Sequence, residues 1–185
     1  MACESFNKSR KLGCKTRIKA GIKRVGFLPF VESATESGLT VGAQNIWDGV
    51  GLTGSVYVYS LKNDGNSYTD TLAADSNTRN VLFNGELTLT LPGLDADTHE
   101  QIMLLAVSNP HIFLELNSGK TLLVGAVNGA ELTGGTFVTG GAATDMQGYT
   151  LTFTSQEGSL ASLVGATGST MYKNAIDMTG AIDPS

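Results

Sequence analysis

The chain has 185 residues, enough for one hydrophobic core and few for two. Charged residues make up 16% of it and glycine 23 positions, nearly twice the usual share of about 7%, a composition that excludes a long charged helix or coiled coil. Net charge is −5, and no segment approaches the ~20 consecutive apolar residues of a membrane span, so no membrane insertion is expected.

The charge is divided along the chain. Residues 1–24 carry eight of the twelve basic residues (Lys8, Arg10, Lys11, Lys15, Arg17, Lys19, Lys23 and Arg24) against one acid, Glu4, for a net +7. The remainder carries four basic and sixteen acidic residues, a net −12. A basic arm on an acidic body suits a nucleic-acid contact or docking on the acidic body of a neighbouring copy; a merely solvated terminus is the plain alternative. The polar start Met1-Ala-Cys-Glu-Ser does not read as a signal peptide, so the expectation is a protein made and kept in a cytosol.

After the arm, short alternating runs rich in Thr, Val, Tyr and Leu sit between Gly and Asn/Asp clusters, the pattern of strands. Ile22 to Pro29 reads as the first. A long loop through 33–54 follows, with only Ile46 and Trp47 as anchors. Ser55 to Leu61 alternates, Asp64-Gly65 favours a tight hairpin turn, and Tyr68 to Leu72 continues the ribbon. Asn80 to Leu91 is the longest strand, with Leu87, Leu89 and Leu91 on one face and Thr88 and Thr90 on the other.

One segment has another period. Acids in its first turn and a stop at Asn109-Pro110 predict a helix over about 97–108, with Ile102, Leu105 and Ala106 facing a sheet and His99 and Gln101 nearer solvent. Strands resume at Ile112 to Leu116, a turn at Asn117-Ser-Gly119, then Thr121 to Val127, Gly134 to Thr139 and Tyr149 to Thr154. The stretch after Gly158 is glycine-punctuated and weakly patterned, and is expected to be partly mobile unless a partner holds it. The chain divides into a basic arm (1–24), a core (25–157) and a Gly-rich tail (158–185). The fold class is mainly β, a β-sandwich or partly closed barrel with one flanking α-helix.

Sites for chemistry are few. Gly49-Val-Gly51-Leu-Thr-Gly54 matches G-x-G-x-x-G, but a strand follows it where dinucleotide binding needs a helix. Gly134 to Gly141 lacks the Lys-Ser/Thr of a phosphate-binding loop and suits turn and bulge geometry. Cys3, Cys14, His99 and His111 have no metal-ligand spacing. Composition leaves open a Ser-His-Asp or Cys-His arrangement with only His99 or His111 as base, both read as surface or capping residues. Asn7-Lys-Ser9 is a glycosylation sequon that matters only on a secretory route. Trp47 and Phe137 read as packing anchors. No cofactor, metal or catalytic residue is expected, and the chain is expected not to be an enzyme.

Four stretches carry a resemblance. Met1-Ala-Cys3…Lys11-Leu-Gly-Cys14-Lys…Gly21-Ile-Lys-Arg-Val25 is similar to the start of small virion proteins of bacteriophages, especially those of Bacteroidetes-type hosts. Asn80-Val-Leu-Phe-Asn…Leu87-Thr-Leu-Thr-Leu-Pro92, His99-Glu-Gln-Ile-Met-Leu-Leu-Ala106 and Gly134-Gly-Thr…Thr139-Gly-Gly…Asp145-Met-Gln-Gly148-Tyr-Thr-Leu-Thr-Phe-Thr154 resemble the same group. Their order over residues 1–157 resembles phage tail tube proteins.

The resemblance implies a virion subunit, assembled in the bacterial host cytoplasm. It would form homo-oligomeric rings, usually hexameric, stacked beside other virion proteins into the channel through which the genome leaves, with only transient, non-specific DNA passage. A head–tail connector ring, a capsid decoration subunit, and a non-catalytic adhesin or carbohydrate-binding sandwich are the alternatives. Lys8, Arg10, Lys11, Lys15, Arg17 and Lys19 form the candidate docking arm. Cys3 and Cys14, eleven positions apart on it, start as thiols in a reducing cytosol and could pair after the virion leaves the cell.

Overall fold

The structure, a computed structural model, describes residues 19–31, 41–42, 46–47, 52, 54–61, 65–75 and 80–165. In chain order its elements are β1 (Ile22–Leu28), β2 (Val41–Gly42), β3 (Ile46–Trp47), β4 (Tyr57–Ser60), β5 (Ser67–Asp75), β6 (Asn80–Pro92), α1 (Ala96–Leu105), β7 (His111–Leu116), β8 (Thr121–Val124), β9 (Glu131–Val138), β10 (Gly148–Glu157) and β11 (Ser162–Val164). The strands form two sheets: a seven-stranded sheet A in the order β2-β3-β11-β8-β7-β1-β4, and a four-stranded, antiparallel sheet B in the order β5-β6-β10-β9. Among the described residues the fold is a β-sandwich with one helix. Neither sheet closes into a barrel, so of the two expected architectures the sandwich is the one formed.

The core lies between the sheets. Val25 and Phe27 of β1 and Ile112 and Leu114 of β7 meet Leu87, Leu89, Leu91, Leu151 and Phe153 of sheet B, and the rings of Phe27 and Phe153 lie 5.4 Å apart. The alternation of β6 is as expected: its three leucines are buried and Thr88 and Thr90 lie on the other face. In β1 the core residues Ile22 and Val25 are three positions apart, which a regular strand would send to opposite faces. A register shift between Ile22 and Arg24 in the pairing with β7 absorbs the extra residue and returns Ile22 to the core.

Sheet A is buried on its other face too. Leu28, Phe113 and Leu123 form a second cluster with Trp47, Leu52 and Val56. Ile112, Phe113 and Leu114 are therefore all fully buried, a continuous apolar run at the centre of β7.

Several expectations need correction. No hairpin joins β4 to β5: β4 pairs with β1 in sheet A and β5 with β6 in sheet B, so the chain changes sheets between them. Alternation in β4 reports a half-buried strand and does not say which sheet it enters. Asp64 lies outside the described residues; Gly65 has φ +90°, and Asn66 pins the crossing by accepting the Thr90 N–H on Oδ1 at 2.8 Å.

The weakly patterned tail begins with a strand, because β11 inserts between β8 and β3. The helix is regular from Ala96, where Asp95 caps it by accepting from Thr98 N at 3.2 Å, to Leu105. Residues 106–108 form only a tightening last turn. Ile102 and Leu105 pack on the core as expected. Ala106 is exposed and Gln101 half-buried, since the helix touches the core along a narrow stripe and ends before Ala106 can join it.

Candidate assembly interface

The solvent face of sheet B is a grid of hydroxyls. Residues alternating with the buried leucines and aromatics align across the strands by register: Thr90, Thr150 and Thr136 in one row, Ser67, Thr88 and Thr152 in the next, Thr69, Glu86, Thr154 and Glu131 in a third. None of the four strands contains Lys or Arg, and the charges on this face are Glu86, Glu131 and Asp75. Leu82 and Val138 interrupt it at its ends.

Both borders of this sheet are open among the described residues: β5 pairs only with β6, and β9 only with β10. β9 has neither Lys nor Pro to discourage another strand, and seven of its eight residues are exposed. Its glycines, expected at a turn or bulge, lie in regular register beside one, the extra residue being Thr133. A bulge opposite Thr152 and Phe153 falls just before Gly134, and a Cβ on Gly135 would press on Leu151 at 3.2 Å.

Phe137 is no interior anchor. It is 53% exposed and joins Tyr149, at 5.6 Å between ring centroids, and His99 of α1, at 6.2 Å, in an aromatic group at the β9 edge. His99 Nδ1 lies 3.3 Å from the Tyr149 hydroxyl. Met103, one turn further along α1, is 64% exposed. Trp47, by contrast, is fully buried against Phe113, as expected of an anchor. The loop between β9 and β10 is tied by Asp145, whose Oδ2 accepts from Gly141 N at 2.9 Å and Ala142 N at 2.8 Å. Those two bonds hold its carboxyl below the usual range.

His111 is not a surface residue. It is fully buried, stacked on Phe30, and both ring nitrogens engage the backbone: Nδ1 with the Gly125 carbonyl and Nε2 with Val31 N–H. Among the described residues no group of three or more His, Cys, Asp or Glu comes together.

A second polar group, which the sequence did not flag, sits at one mouth of the sandwich. Asp70 Oδ2 accepts from Ala161 N at 3.0 Å and from the Tyr68 hydroxyl at 3.3 Å. Burial, with Asp70 beside it, pushes the Tyr68 phenol above its ordinary range. Glu157 Oε1 accepts from Val127 N and Asn128 N, both at 3.0 Å. These contacts join residues up to 91 positions apart.

Of the docking arm, Lys8, Arg10, Lys11, Lys15 and Arg17 lie outside the described residues, as do Cys3 and Cys14; Lys19 is exposed. The arm enters the fold where Asn117 donates from Nδ2 to Ala20 O at 2.9 Å and from its backbone N to Gly21 O at 3.0 Å. Lys23 and Arg24 follow at once and share Glu115, at 3.2 and 3.8 Å. Lys120 is in the adjacent turn, so the four basic side chains among the described residues gather at this end of sheet A.

Compared with protein-family models, with curated proteins and with solved structures, the chain matches none.

Proposed function

We propose that the protein is a virion structural subunit that forms stacked rings of tail-tube type, with the hydroxyl-rich face of sheet B lining the channel. The observation that carries this reading is the chemistry of that face: threonine and serine hydroxyls, three carboxylates and no cation. Duplex DNA bears one negative charge per ~1.7 Å, and a wall that neutralises no phosphate lets it pass without being held. The open β5 and β9 edges lie at opposite borders of the same sheet, so β9 of one copy can extend the sheet into β5 of the next. Such a head-to-tail contact yields a ring when the rotation closes. The basic arm, starting from the cationic end of sheet A, docks on the acidic body of a neighbour.

Electron microscopy of concentrated purified protein tests the reading. Tubes with a central channel are the expected result. Single rings that never stack would favour a head–tail connector, and monomers at every concentration would overturn the assembly reading.

A further inference from the structure

β11 is a short strand in a well-built slot. It meets β8 through only two residue pairs, Ser162 with Leu123 and Leu163 with Leu122, and β3 through two more, Leu163 with Ile46 and Val164 with Trp47. The slot itself is dry: Trp47, Phe113 and Leu123 are fully buried, and Ser162 is nearly so.

The connection that delivers β11 runs at the surface. Residues 158–160 are exposed, including the large side chain of Leu160. The crossing from sheet B to sheet A is tied to β5 by the bond from Ala161 N to Asp70 Oδ2. Asp70 Oδ1 is buried there without a hydrogen-bond partner, above a small cavity lined by Tyr68, Asp70, Phe83, Leu123, Ser155 and Leu160. A tight receptor for a strand, fed by an exposed connector over an underfilled seam, is the arrangement in which two copies can trade identical elements at little cost.

We propose that β11 is an exchangeable strand: the slot between β3 and β8 accepts Ser162–Val164 of a second copy in place of its own. Every contact the slot makes is the same in either case, because the strand is identical; only the course of residues 158–161 differs. The occupant is thus a second copy of this chain. The proposal stands apart from the tube reading, since exchange between two copies requires no ring.

The paired positions Leu122 and Leu163 make the test direct. In full-length protein carrying Cys3→Ser and Cys14→Ser, the single variants Leu122→Cys and Leu163→Cys are mixed at high concentration and mildly oxidised. A covalent heterodimer whose yield rises with concentration is expected, while the variant carrying both cysteines closes within one chain when dilute. Mixed single variants that stay uncross-linked at all concentrations, beside a double variant that closes internally, would overturn exchange. A double variant that fails to close when dilute would also overturn it, by placing β11 outside the slot.

Deletion of residues 158–160 gives a second readout. The remaining connector spans two Cα steps, about 7 Å, against the ~10 Å between packed sheets, too short for β11 to reach its own slot. Sedimentation should show a folded dimer, and a folded monomer would count against exchange.

Discussion

The imidazole of His111 donates from Nδ1 to the Gly125 carbonyl at 2.6 Å. With Nε2 accepting the Val31 N–H at 3.2 Å, one buried ring ties the ends of three segments together and must be neutral to do so. Protonation would set a second N–H against the Val31 N–H.

A pH dependence follows. Burial lowers the His111 pKa below its ordinary 6.5, so between that value and the folded one the unfolded chain binds the extra proton. This stabilising contribution is complete above about 6.5 and is lost as pH falls. Thermal unfolding midpoints should drop between pH 7.5 and 5.5, and less so in His111→Gln. Equal slopes in the two proteins would assign the drop elsewhere. His111→Phe, which strands both backbone partners, should cost about 2–4 kcal/mol in denaturant unfolding.

Gly85 is kept side-chain-free by its neighbours. A Cβ there would come within 2.5 Å of Ser155 Oγ and 2.6 Å of the Tyr68 hydroxyl. Gly85→Ala should destabilise by about 1–3 kcal/mol through overpacking. Adding Ser155→Ala to it should recover part of the loss, and a double-mutant cycle of urea midpoints measures the coupling. Strict additivity would mean that the clash relaxes by another route.

The helix separates packing from surface. Ile102 and Leu105 are half-buried on the core, whereas Met103 is largely exposed. Leu105→Asp should unfold the monomer or destabilise it by several kcal/mol, because a carboxylate replaces core contact. Met103→Asp should leave the thermal midpoint within about 2 °C, the behaviour of a surface substitution. Circular dichroism melts distinguish the two; a stable, monomeric Leu105→Asp would make the stripe an interface.

The wall and the arm make opposite electrostatic predictions. In assembled material, Glu86→Lys with Glu131→Lys should create DNA retention that falls steeply with salt, while the unaltered wall retains none. Removing residues 1–18 should leave a folded monomer and block ring or stack formation, and assembly of the intact chain should weaken at high ionic strength. Normal tubes without the arm, together with tight, salt-sensitive DNA binding by the full chain, would reassign the arm to nucleic acid.

Where one face of a strand is buried, sequence reading found it. Leu87, Leu89 and Leu91 alternate because β6 has the core on one side and water on the other, and Asp95 starts the helix through capping chemistry, while Asn109-Pro110 lies beyond its end at Leu105. Phe113 carried no such signal, because a strand buried on both faces has no alternation to read. Phe137 sits between β-branched Thr136 and Val138 in a strand pattern, and only its place on a border strand explains its exposure. The link from Asp70 to Ala161 was illegible: two residues 91 positions apart meet only because the chain changes sheets four times between β4 and β11. Three residues of β11 are too few for a period of any kind.

Asn117 fixes where the chain enters sheet A, and with it the place of every basic side chain among the described residues, at the end opposite His111. The two ends of that sheet are consequently chemically distinct. A filament built by repeating the subunit along its strands would have a cationic terminus and one without cations from this sheet. Its two ends would move unequally in an electric field, adsorb to different surfaces and accept different terminating partners.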